Sequence, residues 1–298
     1  MGIKARLSRW RYRLGLAGEA FPPGHFFSAI PDRKQVQATL STGQRNILDV
    51  PGVDLALARQ RKVLQQLEPL QQEMPFADKP VNGLRYGFDN NAFVYADGAF
   101  LHLMLRWLQP QRLIEVGSGY SSACTLDTVD GFFDQPCDVT FIEPYDELLR
   151  SLLRDSDSQR CHIITAPVQE VSLATFERLQ DRDVLFIDST HVSKVGSDVN
   201  FLFFEVLPRL RPGVVVHVHD IFPGFEYPWN WIEQGWVWQE DYLLRAFLQF
   251  NSEFEILLWP GLLNAVDGLE FTQRFPSAAR NPGGSIYLRR RGGSDLGV

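Results

Sequence analysis

The chain predicts an α/β fold: a mostly parallel seven-stranded sheet with helices on both faces, an antiparallel C-terminal hairpin and a helical extension at the N-terminus. Three observations carry that prediction. The run Arg112-Leu-Ile-Glu-Val-Gly-Ser-Gly-Tyr-Ser-Ser122 is an apolar strand that turns through two glycines into a helix. Short β-branched or aromatic runs then alternate with helical patterns as far as residue 219. The last two runs, Phe254-Glu-Ile-Leu-Leu-Trp259 and Gly284-Ser-Ile-Tyr-Leu-Arg289, have no long helical pattern between them. Alternation of this kind covers a parallel sheet with helices through right-handed crossovers. Two consecutive strands without a crossover helix pair antiparallel.

Taken in chain order, Leu7, Trp10 and Leu14 recur at helical spacing among Lys4, Arg6, Arg9, Arg11 and Arg13, which reads as a solvated helix or one that lies on a membrane surface. No apolar stretch of signal-peptide type follows it. Residues 21–52, rich in Pro, Gly and polar side chains, read as an irregular connection. Leu55 to Leu67 restores a 3.6-residue period and predicts a helix of several turns. Phe88 to Phe93, Tyr95 and Asp97 read either as a segment that closes over the methionine end of a cofactor or as a turn and helix cap. A second helical pattern, Ala99 to Leu108, follows and ends before Pro110. Strands are expected near 112–116, 138–143, 161–165, 183–188 and 213–219. Domain limits follow: an extension over 1–88, a catalytic body over 89–290 and a loose tail over 291–298.

Glycine lets backbone N–H groups approach a polar ligand closely, so Gly117, Ser118 and Gly119 form a cofactor cradle at a helix N-terminus. Glu143, which closes the second strand 28 positions after Glu115 (143 − 115), arrives beside that turn and can accept hydrogen bonds from both hydroxyls of a ribose. Dinucleotide-binding turns hold a pyrophosphate and carry a third glycine where this chain has Ser122. Glu115, two residues before the first glycine, repels a pyrophosphate but attracts an ammonium group, directly or through water. S-adenosylmethionine carries that group.

On these residues the chain resembles the class I S-adenosylmethionine-dependent methyltransferases, from about Asn90 to Arg290. The matching features are the Glu-x-Gly-x-Gly turn at 115–119, the acid at Glu143, and Asp188 closing the fourth strand. Ile187-Asp-Ser-Thr-His191, Leu210-Arg-Pro-Gly213 and His217-Val-His-Asp220 are similar to the subgroup that modifies small molecules and sugars. The resemblance implies a Rossmann-like sheet, with Glu115, Gly117, Ser118, Gly119, Glu143 and Asp188 as cofactor residues.

An open parallel sheet places its ligand crevice at the carboxyl ends of the strands. Asp188, His191, His219 and Asp220 therefore converge there, with Asp188, His191 and His219 as candidate catalytic residues. A sulfonium methyl donor is already activated; what remains is to align the acceptor and remove its proton. His191 can take that proton, and Asp188 with Asp220 can hold Mg²⁺ or another divalent cation that acidifies the acceptor oxygen. His217, two residues before His219 and on the same face, reads as a satisfied core residue. Lys194 is either solvated or in contact with an anionic acceptor. Ile221 to Trp231 interleaves five aromatics with prolines and reads as an acceptor lid or as a hydrophobic cover.

The expected activity is O-methylation of a small molecule or sugar-containing metabolite. The alternatives are an NAD-dependent oxidoreductase and a non-catalytic cofactor-binding protein. With 36 acidic against 29 basic residues the net charge is −7, which disfavours a nucleic-acid partner. No apolar run approaches the roughly 18 residues of a membrane span. Cys124, Cys137 and Cys161 lack paired ligand spacing and an even disulfide count, which points to a reducing cytoplasm. A homo-oligomer is left open by the sequence.

Overall fold

The computed structural model describes residues 21–41 and 46–298. The basic N-terminal segment lies outside the described residues. The chain forms two compact units: a smaller one, whose described part is 21–41, 46–49 and Tyr227–Trp238, and a larger one, Val50–Glu226 with Gln239–Val298.

The larger unit is built on seven strands: β1 (Arg112–Val116), β2 (Asp138–Ile142), β3 (Cys161–Ile164), β4 (Val184–Ile187), β5 (Val215–Val218), β6 (Phe254–Leu258) and β7 (Ile286–Arg290). Their order in the sheet is β3-β2-β1-β4-β5-β7-β6. The first five are parallel, whereas β7 runs antiparallel to both β5 and β6. β1, β2, β4 and β5 read as nearly continuous apolar runs because helices cover both faces. Along one register row, Phe141, Glu115, Phe186, His217 and Tyr287 stand side by side on five adjacent strands. That row lies on the face covered by the main core, where Leu101, Leu105, Leu126, Phe141, Phe186 and Tyr287 are buried together.

Twelve α-helices are described: α1 (Arg33–Ser41), α2 (Leu57–Gln71), α3 (Ala96–Leu108), α4 (Tyr120–Phe132), α5 (Glu147–Leu152), α6 (Leu173–Glu177), α7 (Asp198–Phe201), α8 (Trp229–Gln234), α9 (Glu240–Leu248), α10 (Pro260–Asp267), α11 (Leu269–Arg274) and α12 (Ser277–Arg280). α2 buries Val63, Leu64 and Leu67 in the main core, together with Phe76, Tyr86 and Phe88. The segment ahead of residue 89, which the sequence assigns to an extension, is thus part of the larger unit from Val50 onward, its apolar face packed into the main core.

Three further features differ from the sequence-based expectation. Residues 21–52 are not irregular throughout: α1 forms in the smaller unit, and Asp32 accepts hydrogen bonds at its start from Lys34 N (2.9 Å) and Gln35 N (3.0 Å), as an N-terminal capping side chain does. β6 and β7 are antiparallel neighbours but do not form a tight hairpin. The chain between them folds into α10, α11 and α12, whose Leu262, Leu263, Phe271, Phe275 and Ala278 are buried. Residues 291–298 return to the body, where Leu296 and Val298 rest against the core.

Candidate active site

The glycine turn after β1 is held from three sides. Gly117 N donates to Ile142 O at 3.0 Å, and Asp188 N donates to Val116 O at 2.8 Å, which draws the ends of β1, β2 and β4 together. Gly117 has φ +81°, and a Cβ there would stand 1.8 Å from the Asp188 carbonyl oxygen. Only glycine meets both demands. Beneath the turn, Glu115 is fully buried. Its Oε1 accepts from Ser121 Oγ (2.6 Å) and Ser122 Oγ (2.8 Å), while Oε2 has no hydrogen-bond partner among the described residues. Ser122 Oγ in turn accepts from Gly119 N at 3.0 Å. Burial pushes the Glu115 carboxyl up to about 8, helped by the charges of Asp188 and Glu143 and opposed by the two hydroxyls.

Glu143 accepts from Ser118 N (3.1 Å) and Tyr145 N (2.8 Å), so its carboxylate is fixed against the turn. It opens with Gly117, Pro144, Tyr145, Val168 and Asp188 onto a cavity of about 400 Å³, which Lys194 also lines. The volume falls within the range of small-molecule and cofactor sites.

At the ends of β4 and β5 the polar side chains converge. Asp188 Oδ1 lies 3.4 Å from His219 Nδ1 and 3.5 Å from His191 Nε2, and Asp220 Oδ2 lies 3.4 Å from His191 Nε2. The opposite nitrogen of His219 faces Asp97 Oδ2 at 3.5 Å. Asp97 itself accepts from Gly284 N and Ser285 Oγ. His191 Nδ1 meets the buried Glu240 at 2.8 Å. Burial disfavours an imidazolium at both histidines, but the surrounding carboxylates outweigh it and raise both, His219 strongly. Asp188 is held low against the cost of burial by the same two rings, whereas burial pushes Asp220 up to about 6. His191 (φ 59°) and Asp220 (φ 60°) both adopt left-handed backbone, strain of the kind that collects at functional sites.

A family model described as a methyltransferase domain matches residues 114–221, from β1 to just past Asp220. An uncharacterized protein of Archaeoglobus fulgidus is 32% identical over 170 residues, which are 55% of this chain and 76% of that protein. Residues 114–221 of this chain are a methyltransferase domain. Two solved structures are more distant likenesses. The O-methyltransferase TomG of Streptomyces achromogenes is 18% identical, over 87% of this chain and 96% of that one, with a TM-score of 0.45. The Podospora anserina methyltransferase PaMTH1 is 15% identical, over 93% and 100%, also with a TM-score of 0.45. The domain assignment rests on the family model.

Within this methyltransferase domain, Gly117, Ser118, Glu143 and Asp188 meet at one place, and Asp188, His191, His219 and Asp220 at the adjoining one. Glu115 underlies the turn and does not line the cavity. His217 departs from expectation: it is a core residue, but an unsatisfied one. Its ring is stacked between Phe186 (4.1 Å) and Tyr287 (4.2 Å), neither nitrogen has a hydrogen-bond partner among the described residues, and burial holds it neutral by pushing it well down. The expected aromatic lid is divided. Phe225 is a core ring packed on Trp259 at 4.8 Å in the larger unit, so it is not presented to a ligand. Tyr227 and Trp231 join Trp236 and Trp238 in the smaller unit. Sequence reasoning missed Glu240, which in the sequence is one more acid opening a helix. It also missed that Asp97 faces His219. No described helix is long and apolar enough to cross a membrane.

Proposed function

We propose that the chain methylates a hydroxyl group of a small molecule, with sugar-containing metabolites foremost, using S-adenosylmethionine as the donor. The observation that carries this reading is the position of Asp188. It lines the 400 Å³ cavity beside Gly117 and Glu143, and its carboxylate also faces His191 and His219. One residue thus joins a nucleoside-sized cavity to a cluster able to handle a proton.

Two features fit the donor. The turn is bare where a side chain would collide, and Glu115 keeps beneath it a buried oxygen without a hydrogen-bond partner among the described residues. Glu143 would hold the ribose hydroxyls, and Gly117 to Gly119 would lie against the amino-acid portion, with the buried Glu115 bracing the turn beneath them through Ser121 and Ser122. When bound, the donor supplies an activated methyl group. The chain's own side chains then have two tasks, to orient the acceptor oxygen and to take its proton. His191 accepts that proton at Nε2, the nitrogen turned toward Asp188 and Asp220. His219, faced by Asp97, Asp188 and Asp220, stays cationic and offsets their charge.

A specific observation favours a metal-assisted variant. Asp188, His191 and Asp220 each bring one ligand atom within 4.8 Å of the other two. Two carboxylates and an imidazole suit Mn²⁺, Fe²⁺ or Zn²⁺ better than Mg²⁺, which favours oxygen. Such an ion would supply Lewis acidity at the acceptor hydroxyl. An NAD-dependent oxidoreductase is disfavoured by the carboxyl under the turn, and a non-catalytic role by the converging acids and imidazoles. Three unpaired cysteines fit a reducing cytoplasm, and the charge of −7 fits a partner other than nucleic acid.

Calorimetry with S-adenosylhomocysteine on the full chain tests the reading. Wild type is expected to bind one equivalent, and Glu143→Ala to bind it about 10- to 100-fold more weakly, as removal of hydrogen bonds to a charged group implies. No binding, or competition by NAD(H) for the same site, overturns it.

A further inference from the structure

Glu240 opens α9 and is fully buried, at a depth where an acid needs a defined partner. Its Oε2 lies 2.8 Å from His191 Nδ1, and both of its oxygens accept from Ser189 Oγ at 3.2 Å. The same stretch grips His191 a second time through the main chain: Gln239 N and Glu240 N both donate to the His191 carbonyl, at 3.0 and 3.2 Å. These bonds hold a residue whose φ of 59° is unfavourable for a side chain with a Cβ. Backbone and ring of His191 are therefore fixed together by one helix start.

An ionised carboxylate only accepts hydrogen bonds, so the ring nitrogen that faces Glu240 carries the hydrogen. In a neutral ring the other nitrogen then holds the lone pair. That nitrogen, Nε2, stands 3.5 Å from Asp188 and 3.4 Å from Asp220, at the mouth of the polar cluster. A free histidine side chain prefers the reverse arrangement, with the hydrogen on Nε2. His219 has no comparable anchor, since its carboxylate contacts run from 3.4 to 3.6 Å.

We propose that Glu240 is a positioning residue that holds His191 as the Nδ1–H tautomer, so that the Nε2 lone pair is presented beside Asp188 and Asp220. The assignment of that lone pair to the acceptor's proton rests on the methyltransferase reading of this site. Glu240 itself touches no reacting atom; it acts through His191.

The test is ring-nitrogen NMR on the full chain labelled with ¹⁵N-histidine, with His191 assigned by loss of its signals in His191→Gln, at an alkaline pH where the ring is neutral. Wild type is expected to show His191 as Nδ1–H, and Glu240→Leu, which keeps the bulk but removes the acceptor, to shift the ring toward Nε2–H. A wild-type ring found as Nε2–H overturns the proposal even if the variant fails to fold, and so does a variant that stays Nδ1–H. Calorimetry with S-adenosylhomocysteine separates the two readings: Glu240→Leu is expected to bind it within twofold of wild type. A wild type that does not bind it refutes the methyltransferase reading while leaving the tautomer result standing. With tritiated S-adenosylmethionine and a panel of monosaccharides and phenols, Glu240→Leu is expected to lower kcat about 10²- to 10⁴-fold, the usual contribution of a general base. In a His191→Ala background it is expected to add nothing, and additive losses would count against a role through His191.

Discussion

Glu115 lies one residue before the end of β1 in a place that excludes water, and two serine hydroxyls on one of its oxygens do not compensate for burial. Its carboxyl therefore titrates near 8 in the folded chain, against about 4.5 in an unfolded one. A folded value above the unfolded one means that the native state binds the proton more tightly. The associated stability is fully present below the unfolded value and is lost as pH rises toward 8. We predict that Glu115→Gln stabilises the ligand-free protein at pH 8 by a few kcal/mol and does nothing at pH 4, as read by urea denaturation. An equal effect at both pH values would show that burial does not govern this carboxyl. The residue also marks what sequence can reveal. Glu115, Gly117 and Glu143 were legible because backbone spacing alone brings them together around one turn. Glu240 was not: 49 positions separate it from His191, and only the packing of α9 against the β4 loop brings them into contact.

At the level of elements, the β1–α4 turn shows why two glycines in one chain differ. Gly117 has a left-handed φ and an occupied Cβ position, whereas Gly131 lies within α4 with nothing within 4 Å of a Cβ. Gly117→Ala is expected to cost about 2–5 kcal/mol, from backbone strain together with a clash against the Asp188 carbonyl. Gly131→Ala is expected to gain about 0.5–1 kcal/mol by removing chain freedom from the unfolded state. Urea denaturation of both variants checks the pair, and similar midpoints would refute the distinction. The parallel strands were readable for the same local reason, since an apolar run bounded by turn residues means a strand buried on both faces. The link between β6 and β7 was not. Its helices are short, and their period is too brief to stand out until Leu262, Phe271 and Phe275 are seen to share one core.

Across the larger unit, Arg85 ties the chain before α3 to α4 and to the turn ahead of β3. Its guanidinium donates to Asp127, Asp130 and Asp157, and Arg85, Asp127 and Asp157 are almost wholly buried. Removing one partner from such a group strands the other charges, so Arg85→Ala is expected to cost about 3–5 kcal/mol near neutral pH. Burial works against the Asp157 carboxylate, but the hydrogen bonds from Arg85 and its neighbours prevail and hold it below the usual 3.8. For a depressed carboxyl the sign is opposite to that of Glu115: its stability is present above the unfolded value and is lost as pH falls through the folded one. The two devices act at opposite ends of the pH range, the Asp157 contribution being lost on the acid side and the Glu115 contribution on the alkaline side. Urea midpoints measured from pH 3 to 9 should rise and then fall in wild type. They should lose part of the acid limb in Arg85→Ala and part of the alkaline limb in Glu115→Gln. An acid limb in Arg85→Ala that runs parallel to that of wild type would mean that the buried guanidinium does not set the Asp157 charge.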